Sequence, residues 1–131
     1  MQYIKHYWID ANSGYYRCDE NVVEKRHPEV EFPGLDVRIW STDPDGIDIC
    51  ISKVPDGVTF NEITDEESGK KLVQQITESQ FTNIETLNSQ VNTLSMEIQE
   101  AKLSGDETLA NAKETEANTK RSELLAAIHA L

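Results

Sequence analysis

The sequence predicts an α+β protein, in which a small N-terminal antiparallel β domain is followed by a coiled-coil helix and a second C-terminal helix. Three observations carry this reading. Tyr3, Tyr7, Trp8, Tyr15, Tyr16, Phe32, Trp40 and Phe60 all precede residue 64, and only Phe81 follows it. The turn-forming Pro28, Pro33, Pro44, Pro55, Gly14 and Gly34 lie in the same first half. Beyond it, apolar residues recur with the period of a coiled coil. The expected organisation is a β-rich head over 1–63, a heptad-patterned helix over 64–103, and a second helix over 104–131 after a Ser-Gly-Asp break.

In the head, a first strand pair is expected over Gln2–Ile9 and Tyr15–Asp19, joined across Ala11-Asn12-Ser13-Gly14. Asn21 to Pro33 reads as a long surface loop. The clearest hairpin is Val37–Thr42, the turn Asp43-Pro44-Asp45-Gly46, and Ile47–Ser52. Ile47, Ile49 and Ile51 alternate as a half-buried strand requires. Pro44 presets a turn-compatible φ, Gly46 can take positive φ, and the aspartates can bond the turn backbone. Val54-Pro55-Asp56-Gly57-Val58 makes another turn, into a short strand near Thr59–Ile63. A head of roughly 60 residues is marginal alone and gains from packing on a partner.

In the helical half, Ile84, Leu87, Val91, Leu94, Ile98 and Ala101 are spaced three, four, three, four, three. That is an a/d seam, narrower than the apolar stripe of an ordinary core helix. It is the expected oligomer interface, carried by Ile84, Leu87, Val91, Leu94 and Ile98. Leu72, Val73, Ile76 and Phe81 are apolar but fit the heptad poorly, which places them against the head. The e positions (Asn88, Ser95, Lys102) and g positions (Asn83, Gln90, Glu97) carry little charge. β-branched residues at a with leucine at d favour two parallel strands, and a head with its own symmetry could impose three. Gly105 can end the first helix through a positive-φ cap, and Ser104-x-x-Glu107 has capping-box spacing for the second. If the chain reverses at Gly105, Leu124 falls near Leu87 and Ile128 near Phe81. A straight stalk and a folded-back helical hairpin both fit.

The chain has 131 residues and a net charge of −12, with 12 acids and 6 bases in residues 1–63 and the same in 64–131. A uniformly acidic surface repels phosphate, so neither nucleic acid nor an anionic membrane is an expected partner. No apolar run reaches the length of a membrane span, and Met1–His6 lacks a signal-peptide h-region. Cys18 and Cys50 match neither a disulfide framework nor a zinc spacing, and both read as buried thiols. His6, His27 and His129 are scattered, outside metal-ligand spacing. Cys18 or Cys50 with His6 lacks any local nucleophile motif. Asp43, Asp45, Gly46 and Asp48 resemble a calcium loop superficially, but the spacing is not that of an EF-hand and there is no bidentate Glu. A hairpin turn accounts for them. Trp8, Trp40 and the tyrosines read as head core before ligand platform. The sequence therefore predicts neither an enzyme nor a cofactor or metal site.

With its short β head, its Trp40-Ser41-Thr42-Asp43-Pro44-Asp45-Gly46 hairpin and its Asn/Thr/Ser/Gln-rich seam from Thr82 to Ile98, the chain resembles small virion proteins of tailed bacteriophages, in the tail-fibre and fibre-assembly group. The resemblance implies a trimeric fibre-like component, with the head docked on the particle and a helical stalk projecting or bundling. The heptad's dimer preference departs from that pattern, and no functional residue carries over. The expected function is a structural virion component of the tail-fibre or tail-appendage type, made in the host cytoplasm. It would act as a homo-oligomer (trimer or dimer) through the seam and dock on other virion proteins through the head. The alternatives are a tail-fibre assembly chaperone, whose helices cover another protein's apolar surface, and a bacterial ligand- or peptide-binding β module on a coiled coil.

Overall fold

The Asp43-Pro44-Asp45-Gly46 turn closes the hairpin around which the head is built. A computed structural model describes residues 1–7, 34–66 and 69–131, and the backbone of 15–17 and 24–26. In chain order the strands are β1 (Gln2–Tyr7), β2 (Tyr15–Arg17), β3 (Glu24–Arg26), β4 (Asp36–Thr42), β5 (Asp48–Val54), β6 (Ile63–Thr64) and β7 (Lys71–Ile76). The helices α1 (Glu78–Leu103) and α2 (Glu107–His129) follow. β4 and β5 pair antiparallel from Asp36↔Lys53 to Thr42↔Asp48, with a bulge between Val37 and Ile39. Gly46 sits at φ 82, and its N–H donates to the Asp43 carbonyl at 2.9 Å. The α+β class and the antiparallel head are as expected from the sequence.

The rest of the head differs from the sequence reading in four places, the smallest being that the strand expected near Thr59–Ile63 is only the two-residue β6, Ile63–Thr64. β1 lies between β5 and β7, and the sheet order is β4-β5-β1-β7-β6. Tyr15–Arg17 pairs with Glu24–Arg26 in a separate two-stranded sheet, so the expected pairing of the first two segments is replaced by nonlocal partners for β1 and a local one for β2. β3 also lies inside the stretch read as loop; the rest of Asn21–Pro33 is outside the described residues. The largest correction concerns residues 64–76. The helix does not begin there: Lys71–Ile76 is a strand, and α1 starts at Glu78.

The reason is burial on both faces of the sheet. Directly paired residues share a face, which puts Ile4, His6, Cys50, Ser52 and Val73 on one side. Tyr3, Tyr7, Ile39, Ile49, Ile51 and Ile76 lie on the other. Consecutive β5 residues Ile49, Cys50, Ile51 and Ser52 are all buried, as are Leu72 and Val73 in β7. A strand covered on both faces shows no alternation, and Leu72-Val73-x-x-Ile76 then reads as helically spaced. Phe81, at the end of this unit, stacks on Tyr3 with ring centroids 4.3 Å apart.

The chain divides into two compact units, residues 1–81 with Leu131, and residues 82–130. α1 opens with a capping box that fixes its start. The Thr77 N–H donates to Gln80 Oε1 at 2.9 Å, and the Gln80 N–H donates to Thr77 Oγ1 at 3.1 Å. It ends in a Schellman motif: the Asp106 N–H donates to the Ala101 carbonyl at 2.9 Å and the Gly105 N–H to that of Lys102 at 3.2 Å, with Gly105 at φ 77. The cap of α2 is Asp106, whose Oδ1 accepts from the Leu109 N–H at 3.0 Å. Ser104, assigned that role from spacing, instead donates its hydroxyl to the Glu100 carbonyl at 2.6 Å. With the chain reversed at Gly105, the helices form an antiparallel hairpin, which decides between the two helical arrangements left open above.

Candidate functional site

Two places concentrate the chain's chemistry, one in each unit. In the head it is Asp43, only 4% exposed. Its Oδ1 accepts from the backbone N–H groups of Asp45 (2.9 Å) and Ile47 (2.8 Å), which folds the turn onto its own first residue. Its Oδ2 accepts from the Tyr7 hydroxyl at 2.6 Å and from Lys70 Nζ at 3.2 Å. Lys70 also pairs with Asp45. It is presented by a loop in which the Asp65 N–H donates to the Lys70 carbonyl at 2.8 Å. One carboxylate thereby ties the end of β1, the β4–β5 turn and the approach to β7.

The electrostatics follow from that geometry. Burial pushes the Asp43 carboxyl up, but hydrogen bonds from Tyr7, Ile47 and Lys70 outweigh it and hold the group below its ordinary value. Burial raises the Tyr7 phenol, and its bond to the carboxylate raises it further. Lys70 is raised: burial opposes its charge, and the bonds to Asp45 and Asp43 win. Four donors engage both Asp43 oxygens, and the Lys70 ammonium stands beside Asp43 and Asp45. The calcium-like pattern is thus a hairpin turn closed by an internal cation. Among the described residues, no group of three or more His, Cys, Asp or Glu is placed to hold a metal ion.

Among the described residues of the head, His6 and Cys50 are also buried in the sheet. His6 Nδ1 lies 3.2 Å from the Tyr7 carbonyl, which can only accept, so Nδ1 carries the proton and Nε2 accepts from Ser52 Oγ at 2.8 Å. Burial lowers the His6 pKa, with the Tyr7 carbonyl opposing in part. Cys50, opposite His6 in the register, is a buried thiol pushed up to about 12 by burial and by Asp48. A thiol so held is not a nucleophile at neutral pH. Trp40 is 58% exposed on β4, at the sheet's edge among the described residues; this corrects its assignment to the core. Trp8, Cys18 and His27 lie outside the described residues.

The second place is the seam. Ile84, Val91, Leu94 and Ile98 are buried and Leu87 is half-buried. Leu94 and Ile98 cluster with Ala117 of α2. The residues assigned to an interface between chains are therefore already covered within one chain. The cover works because Ala110 and Ala117, both buried, are small enough to let the helix axes approach. Across the pair, Lys113 bonds Glu97 at 2.6 Å, Lys102 bonds Glu114 at 3.1 Å and Arg121 reaches Ser95 Oγ at 3.4 Å, which sets the antiparallel register. The flanks are polar. One carries a cavity of about 470 Å³ lined by Ser89, Gln90, Thr93, Glu97, Lys113 and Lys120 among others. The Thr77-x-x-Gln80 box was readable in the sequence and locates the helix start that apolar spacing misplaced.

The class so defined is an α+β chain with a five-stranded antiparallel sheet and a helical hairpin as separate units. No protein-family model, no curated protein and no solved structure matches this chain. No helix among the described residues is long and apolar enough to cross a membrane.

Proposed function

We propose that this chain is a non-enzymatic tail-appendage component of a tailed bacteriophage, of the fibre or fibre-assembly type, acting by docking and association. The observation that carries this reading is the use to which the reactive groups are put. Asp43, Tyr7, Lys70, His6 and Ser52 spend their bonding capacity on one another, and the heptad is a unit apart from the head. The virion assignment itself rests on the likeness to small tailed-phage proteins. The head would dock on another virion protein, and the helices would govern association with like chains.

The seam covered in cis favours the assembly-chaperone form of this reading over a permanent stalk. A chain whose apolar seam is satisfied internally is soluble alone and can release that seam when a client arrives. Composition of purified particles tests the pair. A fixed copy number in the finished particle supports the structural component; absence from particles that fail to assemble without the protein supports the chaperone. Normal particles assembled without it, and lacking it, would defeat both.

A further inference from the structure

The helical hairpin pairs a strong seam with a weak one. α1 supplies Ile84, Leu87, Val91, Leu94 and Ile98 in unbroken a/d spacing. The buried residues of α2 are Ala110, Ala117 and Ile128, so opposite Leu94 and Ile98 it offers only alanine, and its inter-helix pairs run from Lys113, Glu114 and Arg121 on the hairpin's flanks. We propose that α2 is an intramolecular cover, and that the seam's second occupant is the same seam of another copy, reached by opening the hairpin at Gly105. The inference rests on the hairpin alone and does not depend on the virion assignment.

Two features point to a second copy in parallel. Isoleucine or valine at a with leucine at d favours a parallel two-stranded coil. The only charged residues at the seam's flanking positions, Glu97 at g and Lys102 at e, are five residues apart. That is the spacing at which g of one helix meets e of its partner in a parallel, in-register pair. In the closed chain those side chains are held by α2, Glu97 by Lys113 and Lys102 by Glu114. Opening two chains therefore gives up four inter-helix ion pairs for two Glu97–Lys102 pairs between chains, and the gain lies in replacing the packing on Ala110 and Ala117 by isoleucine, valine and leucine from both chains. Gly105 is the hinge. Its φ of 77 closes the hairpin, and a Cβ there would meet nothing within 4 Å. Alanine at this position is disfavoured by backbone conformation alone and favours running α1 on into α2.

The test uses the full chain in sedimentation at micromolar concentration. Gly105→Ala, and separately Ala110→Arg with Ala117→Arg, should each move the mass from 14.8 kDa toward twice that value, with the helical signal retained. Adding Leu94→Asp to Gly105→Ala should restore the monomer. Adding Lys102→Glu instead should weaken the dimer at least tenfold, and Glu97→Lys on top of that should recover it. Gly105→Ala and the arginine variant both remaining monomeric, folded or not, would overturn the proposal. So would a dimer indifferent to Leu94→Asp or to the charge exchange, or a parent oligomer whose mass no variant changes.

Discussion

Replacing Asp43 with Asn keeps the shape of the head's central carboxylate and removes its charge. Asn can still present its amide oxygen to the N–H groups of Asp45 and Ile47, now bound at 2.9 and 2.8 Å. Its NH₂ group then takes the place of Oδ2; it repels Lys70 Nζ, and toward Tyr7 it can only donate to the phenolic oxygen, which removes the acceptor of the hydroxyl hydrogen. The bond from Tyr7 is short, at 2.6 Å, buried and charge-assisted, and such bonds contribute about 1.5–3 kcal/mol net. Losing it also leaves the buried phenolic hydrogen without an acceptor. The Lys70 pair is nearer solvent, so screening limits it to less than about 1 kcal/mol. The expected destabilisation is about 2–4 kcal/mol. Urea unfolding followed by near-ultraviolet aromatic dichroism reads the head specifically, because every Trp and Tyr precedes residue 64. Tyr7→Phe should cost about 1.5–3 kcal/mol, and the double variant little more than Asp43→Asn alone, since both remove one bond. The carboxyl is held below its ordinary 3.8, so its contribution is full above that value and is lost as pH falls through the folded pKa. The gap between parent and Asp43→Asn should therefore be constant near neutrality and close in strong acid. A variant within about 0.5 kcal/mol of the parent, or additive losses in the double variant, would refute the assignment of Asp43 as the bond on which the head turns.

Gly46→Val should destabilise the head by about 1–2 kcal/mol or more, because φ is 82 there and the open surroundings leave backbone strain as the whole cost; helical ellipticity at 222 nm should not change. The folded His6 pKa lies below 6.5, so the unfolded chain takes up the proton first. Stability should be full above pH 6.5 and decline as pH drops from there toward the folded value; a slope of the urea midpoint that persists in His6→Phe would count against this. Leu94→Asp, which buries a carboxylate beside Ile98 and Ala117, should cost about 3–5 kcal/mol in the helical transition. Leu124→Asp should damage the same transition, less severely because Leu124 is half-buried; an effect from Leu94→Asp alone would contradict the hairpin.

The parts of this fold legible in the sequence are those whose information is local. Asp43-Pro44-Asp45-Gly46 encodes its own turn: the aspartate bonds two residues of the turn, the proline presets φ, and the glycine accepts a conformation other residues resist. The seam from Ile84 to Ala101 was legible as a face, because helical periodicity marks which side is buried. It could not name the occupant of that face. A heptad specifies a partner helix, and Ala110 and Ala117, the residues that make α2 the partner, are small and carry no strong pattern. β7 was misread for a related reason: a strand buried on both sides loses the alternation that distinguishes it from a helix. The Tyr7–Asp43–Lys70 connection spans 36 and 27 residues, and nothing local to any of the three announces it. The exposure of Trp40 was also hidden. Its pairing opposite Cys50 sets the face it occupies, and only the sheet order places that face at an edge.

The claim on which the rest depends is that α1 and α2 of the same chain cover one another's seam. Carbodiimide forms an amide between a lysine and a carboxylate already in contact, and Lys113–Glu97 at 2.6 Å and Lys102–Glu114 at 3.1 Å are such pairs. Equal amounts of isotopically heavy and light chains, co-refolded at micromolar concentration and then treated, give cross-linked peptides whose masses report whether both halves came from one chain. The account predicts that the 97–113 and 102–114 linkages are wholly heavy or wholly light. Mixed heavy–light peptides at half of either linkage would show that the helices pair between chains, and would contradict it.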